Sequence, residues 1–206
     1  MSIDIFLVRH GETVWNRERR VQGRLDSPLT ERGIEQARAY GRTLAHVLDA
    51  VERCDGPKFL DLVASPLGRT RATAAIVAAA LGRPEDAVRY DPLLSEMTWG
   101  AWDGLTAAEI EARDPELWRA RIADRFTVAP PGGGETQQDI HDRAARWLHA
   151  QPPAARLVVV GHGAFGRALR CVFTGRPAAA MLELDEPQDA FFRLIDGRIE
   201  RIDCLY

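Results

Sequence analysis

Two stretches of this 206-residue chain end alike: Phe6-Leu7-Val8-Arg9-His10-Gly11 and Val158-Val159-Val160-Gly161-His162-Gly163. Each is an apolar, strand-like run, then one spacer residue, then His-Gly. In an α/β sheet the carboxyl ends of the strands are where ligands bind, and a glycine there lets backbone approach a ligand closely. Two imidazoles delivered to one sheet edge, the first with Arg9 beside it, point to chemistry on an anion, a phosphate above all. The plain alternative is two unrelated strand-end histidines.

Arg69 extends the set. Ser65-Pro66 has the form of a helix start, a capping residue followed by Pro at the first helical position. That places Arg69 about one turn into a helix, on the face of Thr73, Ile76 and Ala80 that is expected to pack inward. A cation on an apolar face near a helix N-terminus lacks the favour of the dipole and needs an anion. A structural carboxylate would make a buried ion pair; a bound phosphate would make Arg69 and Arg9 a forked clamp for phosphoryl oxygens. His162-Gly163 opens a further helix whose amino end also favours an anion.

Such a pocket suits phosphoryl transfer. A neutral imidazole is a competent nucleophile, and clustered positive charge lowers its pKa so that it is neutral at pH 7. Attack on phosphorus would leave a phosphohistidine for water to hydrolyse. Arg9, Arg69 and the second imidazole would stabilise the charge on the equatorial oxygens. The repeated pattern does not say which imidazole attacks. Glu96 is a candidate to protonate the leaving alcohol, because Met97, Trp99 and Trp102 are expected to surround it with apolar bulk. A surface glutamate is the alternative.

Rival chemistries are present in weaker form. Gly161-His162-Gly163-Ala164-Phe165-Gly166 is a literal GxGxxG after a strand, with Glu183 and Asp185 about 20 residues on, as in a dinucleotide fingerprint. A bulky imidazole in the tight turn, the short chain that follows, and an unexplained Arg9-His10 count against it. No metal is expected, since His10 and His162 have no His or Cys at ligand spacing. His46, His141 and His149 are expected to face solvent. Gly132-Gly133-Gly134 lacks the Lys-Ser/Thr of a phosphate-cradling loop.

The elements that position these residues alternate. Ile3–Val8, Phe59–Ala64, Val88–Tyr90 and Arg156–Val160 read as strands, the longer ones apolar enough to be buried on both faces. Between them lie a polar loop through Pro28, a helix capped by Thr30, the helix from Ser65 to about Leu81 and a helix over Thr136–His149. Ala164–Phe173 is a helix, and Phe191–Ile195 with Arg198–Ile202 form a hairpin across Asp196-Gly197. Strands alternating with helices imply a mostly parallel α/β sheet with right-handed crossovers. The stretch from Trp99 to Gly134 has helix-like patches at Ala107–Ala112 and Glu116–Phe126. It is too irregular and long for a mere connection, and is read as a cap over the strand ends.

The bulk composition excludes several partners. With 46% hydrophobic residues, 28% charged residues and a net charge of −3, the chain reads as one globular domain that binds neither nucleic acid nor a membrane. Cys54, Cys171 and Cys204 are odd in number and widely spaced, so free thiols and a reducing, cytoplasmic setting are expected. No long apolar run precedes His10, and Ala74–Leu81 is too short to span a bilayer.

Leu7-Val8-Arg9-His10-Gly11-Glu12-Thr13, with Trp15-Asn16, resembles the signature of the histidine phosphatase superfamily, the phosphoglycerate mutase-like proteins. The resemblance continues through Gln22-Gly23, Asp26, Pro28-Leu29-Thr30 and Gly33, then Ser65-Pro66-Leu67 with Arg69 and Thr73. It resumes at Glu96 with Gly100, Trp102 and Gly104, at Gly133-Gly134-Glu135-Thr136, and at Gly161-His162-Gly163. It implies a three-layer α/β/α fold with a mostly parallel central sheet, one domain over residues 1–206, and residues 97–135 as a small cap over the active site. It implies further that His10 is phosphorylated, that Arg9, Arg69 and His162 bind the phosphoryl group, and that Glu96 is the proton donor. Asn16, Gln22, Gly23 and Gly163 would add substrate contacts. No cofactor is implied, and the partner would be a small phosphorylated metabolite.

Within that family the choice is hydrolase or mutase. Mutases carry a Tyr-Gly-x-Leu-Gln-Gly-Leu-Asn-Lys type stretch after the acidic residue. Here it reads Met97-Thr98-Trp99-Gly100-Ala101-Trp102-Asp103-Gly104-Leu105-Thr106, without that Tyr or Lys, which resembles the phosphatase branch. A phospho-ligand binding module without catalysis is a third reading, against which the intact Arg9, His10, Arg69, Glu96 and His162 argue. Trp99, Trp118 and Phe126 with Arg119, Arg121 and Arg125 either line a substrate-selective cap or are core and solvated face of ordinary helices.

Overall fold

The computed structural model describes residues 3–55 and 60–206. In chain order the principal elements are β1 (Asp4–Arg9), α1 (Val14–Arg17), α2 (Glu31–Asp55), β2 (Leu60–Ala64), α3 (Gly68–Ala80) and β3 (Val88–Tyr90). There follow α4 (Ala107–Arg113), α5 (Pro115–Ala123), α6 (Gln137–His149), β4 (Arg156–Gly161), α7 (Gly163–Phe173), β5 (Ala190–Ile195) and β6 (Arg198–Asp203). Short 3-10 turns link several of them. Phe59, expected to open the second strand, lies outside the described residues. Among the described residues no helix is long and apolar enough to cross a membrane, and Cys54, Cys171 and Cys204 are all free.

The two-sided apolar strands build the three layers. Along β1, Ile5 and Leu7 point to one side of the sheet, where α6 and α7 bring Ile140, Ala144, Trp147, Phe165 and Leu169. Phe6 and Val8 point to the other, where α2 and α3 bring Tyr40, Leu44, Leu48, Ala74 and Val77. Period-two alternation with apolar residues in both phases requires helices on both faces. The sheet order is β3-β2-β4-β1-β5-β6. The first four strands are parallel, and β5 and β6 add antiparallel. Asp196 (φ 50°) and Gly197 (φ 70°) both take left-handed backbone at the β5–β6 turn, as a tight hairpin demands.

Register explains the repeated His-Gly pattern. Parallel pairing sets Val8 opposite Val160 and Arg9 opposite Gly161, and the His10 amide continues the ladder by donating to the Gly161 carbonyl at 3.0 Å. The next residue on each strand is a histidine, so both imidazoles leave the same edge side by side.

Two local expectations need correction. Ser65 does not cap α3, which starts at Gly68 with no side-chain cap from its own N-cap residue, Leu67. The Ser65 hydroxyl is instead bonded to His162, and the orphan amides of Gly68 and Arg69 donate to the carboxylate of Asp26, at 2.6 and 3.2 Å. Arg69 therefore lies in the first turn of α3. The buried face of that helix is Arg69, Thr70, Thr73, Ala74, Val77 and Ala78; Ile76 is half-buried and Ala80 exposed. Within the expected polar loop, Thr13 caps the one-turn α1 in a reciprocal pair with Asn16.

Candidate active site

At the carboxyl ends of β1, β4 and β2 lies an open cleft whose walls include Arg9, His10, Asn16, Gln22, Gly23, Arg69 and Glu96. The fold thus gathers residues from both ends of the sequence with the middle of the chain. His162 and Gly163 line an adjoining narrow crevice that shares Arg9 and Glu186 with the cleft. The two imidazole centroids are 5.3 Å apart and the rings meet edge to face at 62°.

His10 is buried, and its Nδ1 lies 2.8 Å from the carbonyl of Gly11. A carbonyl only accepts, so Nδ1 carries the proton and Nε2 keeps its lone pair. Gly11 must be glycine for this arrangement, because a Cβ would stand 2.2 Å from the Gly33 carbonyl oxygen at the start of α2. The Gly11 amide donates to Thr73 Oγ1 at 3.1 Å and the Glu12 amide to Gln36 Oε1 at 2.7 Å. The loop carrying the imidazole is therefore pinned to both α2 and α3.

Burial above all, then the charges of Arg69 and Arg9, hold the His10 pKa well below the ordinary imidazole value; the hydrogen bond to Gly11 pulls the other way. His162 is shifted in the same direction, by burial first and then by Arg69, His10, Arg9 and Arg143. Desolvation, ahead of the clustered charge expected from sequence, is the larger cause for both rings. Such imidazoles bind fewer protons folded than unfolded once pH falls beneath about 6.5. Their stabilisation is thus complete above that pH and is lost on acidification toward the folded-state values. The slope is up to about 1.4 kcal/mol per pH unit for each ring. Urea unfolding from about pH 7 to 5.5 should show this fall, with a shallower slope in His162→Gln. A slope unchanged by that substitution would mean the ring titrates freely.

Arg69 has the structural carboxylate that one of its two readings requires, in Asp26. Its guanidinium donates to the carbonyls of Gly23 (2.8 Å) and Leu25 (2.6 Å) and to Asp26 (3.0 Å), while its buried Nε has no partner. Gly23 sits at φ 52°, and a Cβ there would lie 1.7 Å from Asp103 Oδ1. The loop that holds Arg69 therefore depends on a bare α-carbon at Gly23. Arg9 donates to the Glu186 carbonyl and lies 3.6 Å from its carboxylate; its Nε is also buried and unpartnered.

The surroundings of Glu96 differ from the apolar pocket expected. Its carboxylate accepts from the amides of Met97 (2.8 Å), Ala164 (3.1 Å) and Phe165 (3.2 Å). The anion at the amino end of α7 is thus Glu96 itself. Gly163 faces another carboxylate: a Cβ there would lie 1.9 Å from Glu186 Oε2. The nearby acids are committed elsewhere, Glu183 to Arg176 and Asp185 to Arg170 and Arg201.

Residues not singled out from sequence support the site. Arg143 donates through Nε and Nη2 to both oxygens of Glu135, each at 2.9 Å. It also donates to the carbonyls of Leu93, Ser95 and Glu96, so it ties α6 to the segment that carries Glu96. A signal existed: Arg143 is a cation on the apolar face of α6, with Ile140, Ala144 and Trp147, the pattern that flagged Arg69. Gln188 donates to the His10 carbonyl at 3.0 Å, and Arg167 pairs with Glu186 at 2.7 Å. Neither has a local sequence signal.

The aromatic-basic stretch divides between roles. Trp99 and Arg125 line the cleft. Arg121 is buried beneath the Trp99 ring, 4.8 Å from its centroid, and Trp118 meets Trp102 edge to face. Phe126 packs on the core, and Arg119 is exposed. His46 and His149 face solvent, whereas His141 is half-buried, with Nε2 3.3 Å from the Arg176 carbonyl.

Comparison with known proteins agrees with this geometry. A "Probable phosphoglycerate mutase GpmB" from Salmonella choleraesuis (strain SC-B67) is 34% identical over 206 residues, covering 98% of this chain and 85% of that protein. The crystal structure of the alpha-ribazole phosphatase from Shigella flexneri superposes with a TM-score of 0.74 at 27% identity, covering 98% of this chain and 95% of that one. A mycobacterial glucosyl-3-phosphoglycerate phosphatase complexed with VO3 gives a TM-score of 0.74 at 28% identity, covering 98% of both chains. The sequence profile of the Histidine phosphatase superfamily (branch 1) matches residues 5–194. With two strand-end imidazoles, two arginines and a carboxylate around one cleft, this chain belongs to the histidine phosphatase superfamily.

Proposed function

We propose that this protein is a phosphomonoester hydrolase that works through a phosphohistidine on His10, with residues 97–135 as a cap over the cleft of a single domain. The observation that carries the reading is the state of His10. It is a neutral imidazole with Nδ1–H fixed on the Gly11 carbonyl, on the wall of a cleft it shares with Arg9, Arg69 and Glu96. In this reading Nε2 attacks phosphorus, and Arg9, Arg69 and His162 stabilise the equatorial oxygens. Glu96 protonates the departing alcohol, and then draws a proton from the water that cleaves the phosphohistidine. Asn16, Gln22, Gly23 and Gly163 complete the binding walls. The solved phosphatases at 27–28% identity and the three free cysteines support a cytoplasmic hydrolase.

Transfer between hydroxyls is the second reading, favoured by the name of the 34%-identical relative. The stretch Met97–Thr106, which lacks the mutase-type Tyr and Lys, favours water as acceptor. One assay series tests both. Nitrophenyl phosphate should be hydrolysed at a rate unchanged by EDTA, because arginines and imidazoles supply the charge stabilisation, and vanadate should inhibit. 3-Phosphoglycerate should release phosphate faster than it forms 2-phosphoglycerate. Chelator-sensitive turnover restored by zinc or magnesium would overturn the site assignment. Isomerisation outrunning hydrolysis would reverse the ranking.

A further inference from the structure

The segment that leads into β5 reaches back over the end of β1. Antiparallel pairing of the two strands ends at Leu7 opposite Phe192, short of His10. Beyond that point the segment itself takes over the contacts. Arg9 donates to the Glu186 carbonyl, and Gln188 Nε2 donates to the His10 carbonyl at 3.0 Å. The His10 backbone is thus held on both sides, its amide by Gly161 of β4 and its carbonyl by Gln188.

The same Gln188 nitrogen lies 3.4 Å from Asn16 Oδ1. The orientation of both carboxamides follows from the chemistry of their partners. A carbonyl only accepts, so the Gln188 atom on His10 is the NH2 group. A backbone amide only donates, so the Asn16 atom 3.1 Å from the Thr13 amide is the oxygen. The Thr13 hydroxyl, also at 3.1 Å, is a second donor to that oxygen, and Gln188 a third. Turning the Asn16 carboxamide over would set its NH2 group against these donors.

Asn16 Nδ2 is therefore the free end. It has no acceptor among the described residues, and Asn16 stands half-buried on the cleft wall with Arg9 and His10. An unmatched donor on that wall suits a phosphoryl oxygen, whereas an inverted carboxamide would present an oxygen and repel it. The Thr13 contacts are local to the one-turn α1. Gln188, 172 residues along the chain from Asn16, ties that turn to the backbone of the nucleophile.

We propose that Gln188 is a positioning residue for phosphoryl transfer. Its one carboxamide nitrogen holds the His10 carbonyl and sets the Asn16 carboxamide with Nδ2 toward the phosphoryl group. This rests on the phosphomonoesterase reading of the cleft.

A double-mutant cycle between Gln188 and Asn16 provides the test. Gln188→Leu should lower kcat/KM for nitrophenyl phosphate by about tenfold, the range of one charge-assisted hydrogen bond. In an Asn16→Ala background the same substitution should cost about threefold or less, because the group it orients is gone. Gln188→Glu keeps the size of the side chain but sets an acceptor against both the His10 carbonyl and Asn16 Oδ1. Assayed above neutral pH, where the new carboxyl is ionised, it should cost at least as much as Gln188→Leu; a residue that only filled space would tolerate Glu better. It carries the same cycle should the leucine variant not fold. Affinity for inorganic phosphate, measured by calorimetry on the same proteins, should show the same coupling. Additive losses in the cycle, a Gln188→Leu rate within about twofold of wild type, or a Gln188→Glu protein more active than Gln188→Leu would overturn the proposal. Coupled phosphate binding in a wild-type protein that hydrolyses no ester would overturn the hydrolase reading and leave Gln188 as the residue that orients Asn16.

Discussion

His10→Ala should abolish turnover, by at least about 10⁴-fold as expected for loss of a nucleophile, and should abolish covalent labelling with it. Rapid quench of the wild type with a labelled phosphomonoester should trap phosphate that is acid-labile and alkali-stable, mapping to the peptide that contains His10. The contrast with His162 makes this decisive, because the two imidazoles are 5.3 Å apart and their local sequences nearly repeat. Their hydrogen bonds separate them. His10 Nδ1 donates to a carbonyl, which leaves Nε2 as the lone pair; His162 Nε2 is 2.7 Å from the Ser65 hydroxyl, and its Nδ1 is buried without a partner. His162→Ala should therefore slow turnover through lost electrostatic stabilisation, on the order of 100-fold or more, with the remaining label still on His10. Label on His162 in the wild type would exchange the roles. No label on either, without a burst, would indicate direct attack by water.

The parts of this site that could be read in the sequence are those where local pattern and global position coincide. His10 and His162 follow buried strands, so strand-end logic located them and β1–β4 register made them neighbours. Arg69 was visible as a cation on an apolar helical face. What failed was assignment across loops. Ser65 looked like a cap because Ser-Pro is a local signal, but its hydroxyl goes to His162, and Asp26 caps α3 from 42 residues away. Glu96 was expected among apolar bulk because its sequence neighbours are Met97, Trp99 and Trp102. Its actual neighbours, the Ala164 and Phe165 amides, are 68 and 69 residues distant in the chain. Arg167 and Glu186 pair across the cleft wall without any signal in their flanking residues, since an ion pair between distant segments has no period.

The position of Glu96 leads to the most discriminating chemical test. Glu96→Gln keeps the size of the side chain and one acceptor oxygen, enough for the Met97 and Phe165 amides, which share Oε1, but not for the Ala164 amide on Oε2. It leaves the Arg143–Glu135 strut behind the Glu96 backbone in place. What it removes is the proton that the acid form delivers and, in the ionised form, a negative charge that favours the cationic form of Arg69. A nitrophenolate departs without protonation, whereas an alkoxide is too basic to leave unless it is protonated as the P–O bond breaks. Loss of a positioned general acid costs about 10²- to 10⁴-fold where the proton is needed. Hydrolysis of an alkyl ester by Glu96→Gln should fall by that amount, and that of nitrophenyl phosphate by about tenfold at most. The quench experiment adds a second reading: with nitrophenyl phosphate the variant should accumulate phosphohistidine, because activation of the attacking water is lost while phosphorylation of His10 is nearly spared. Equal losses for both esters, with no accumulation of label, would take Glu96 out of proton transfer and leave it only a role in holding the amino end of α7.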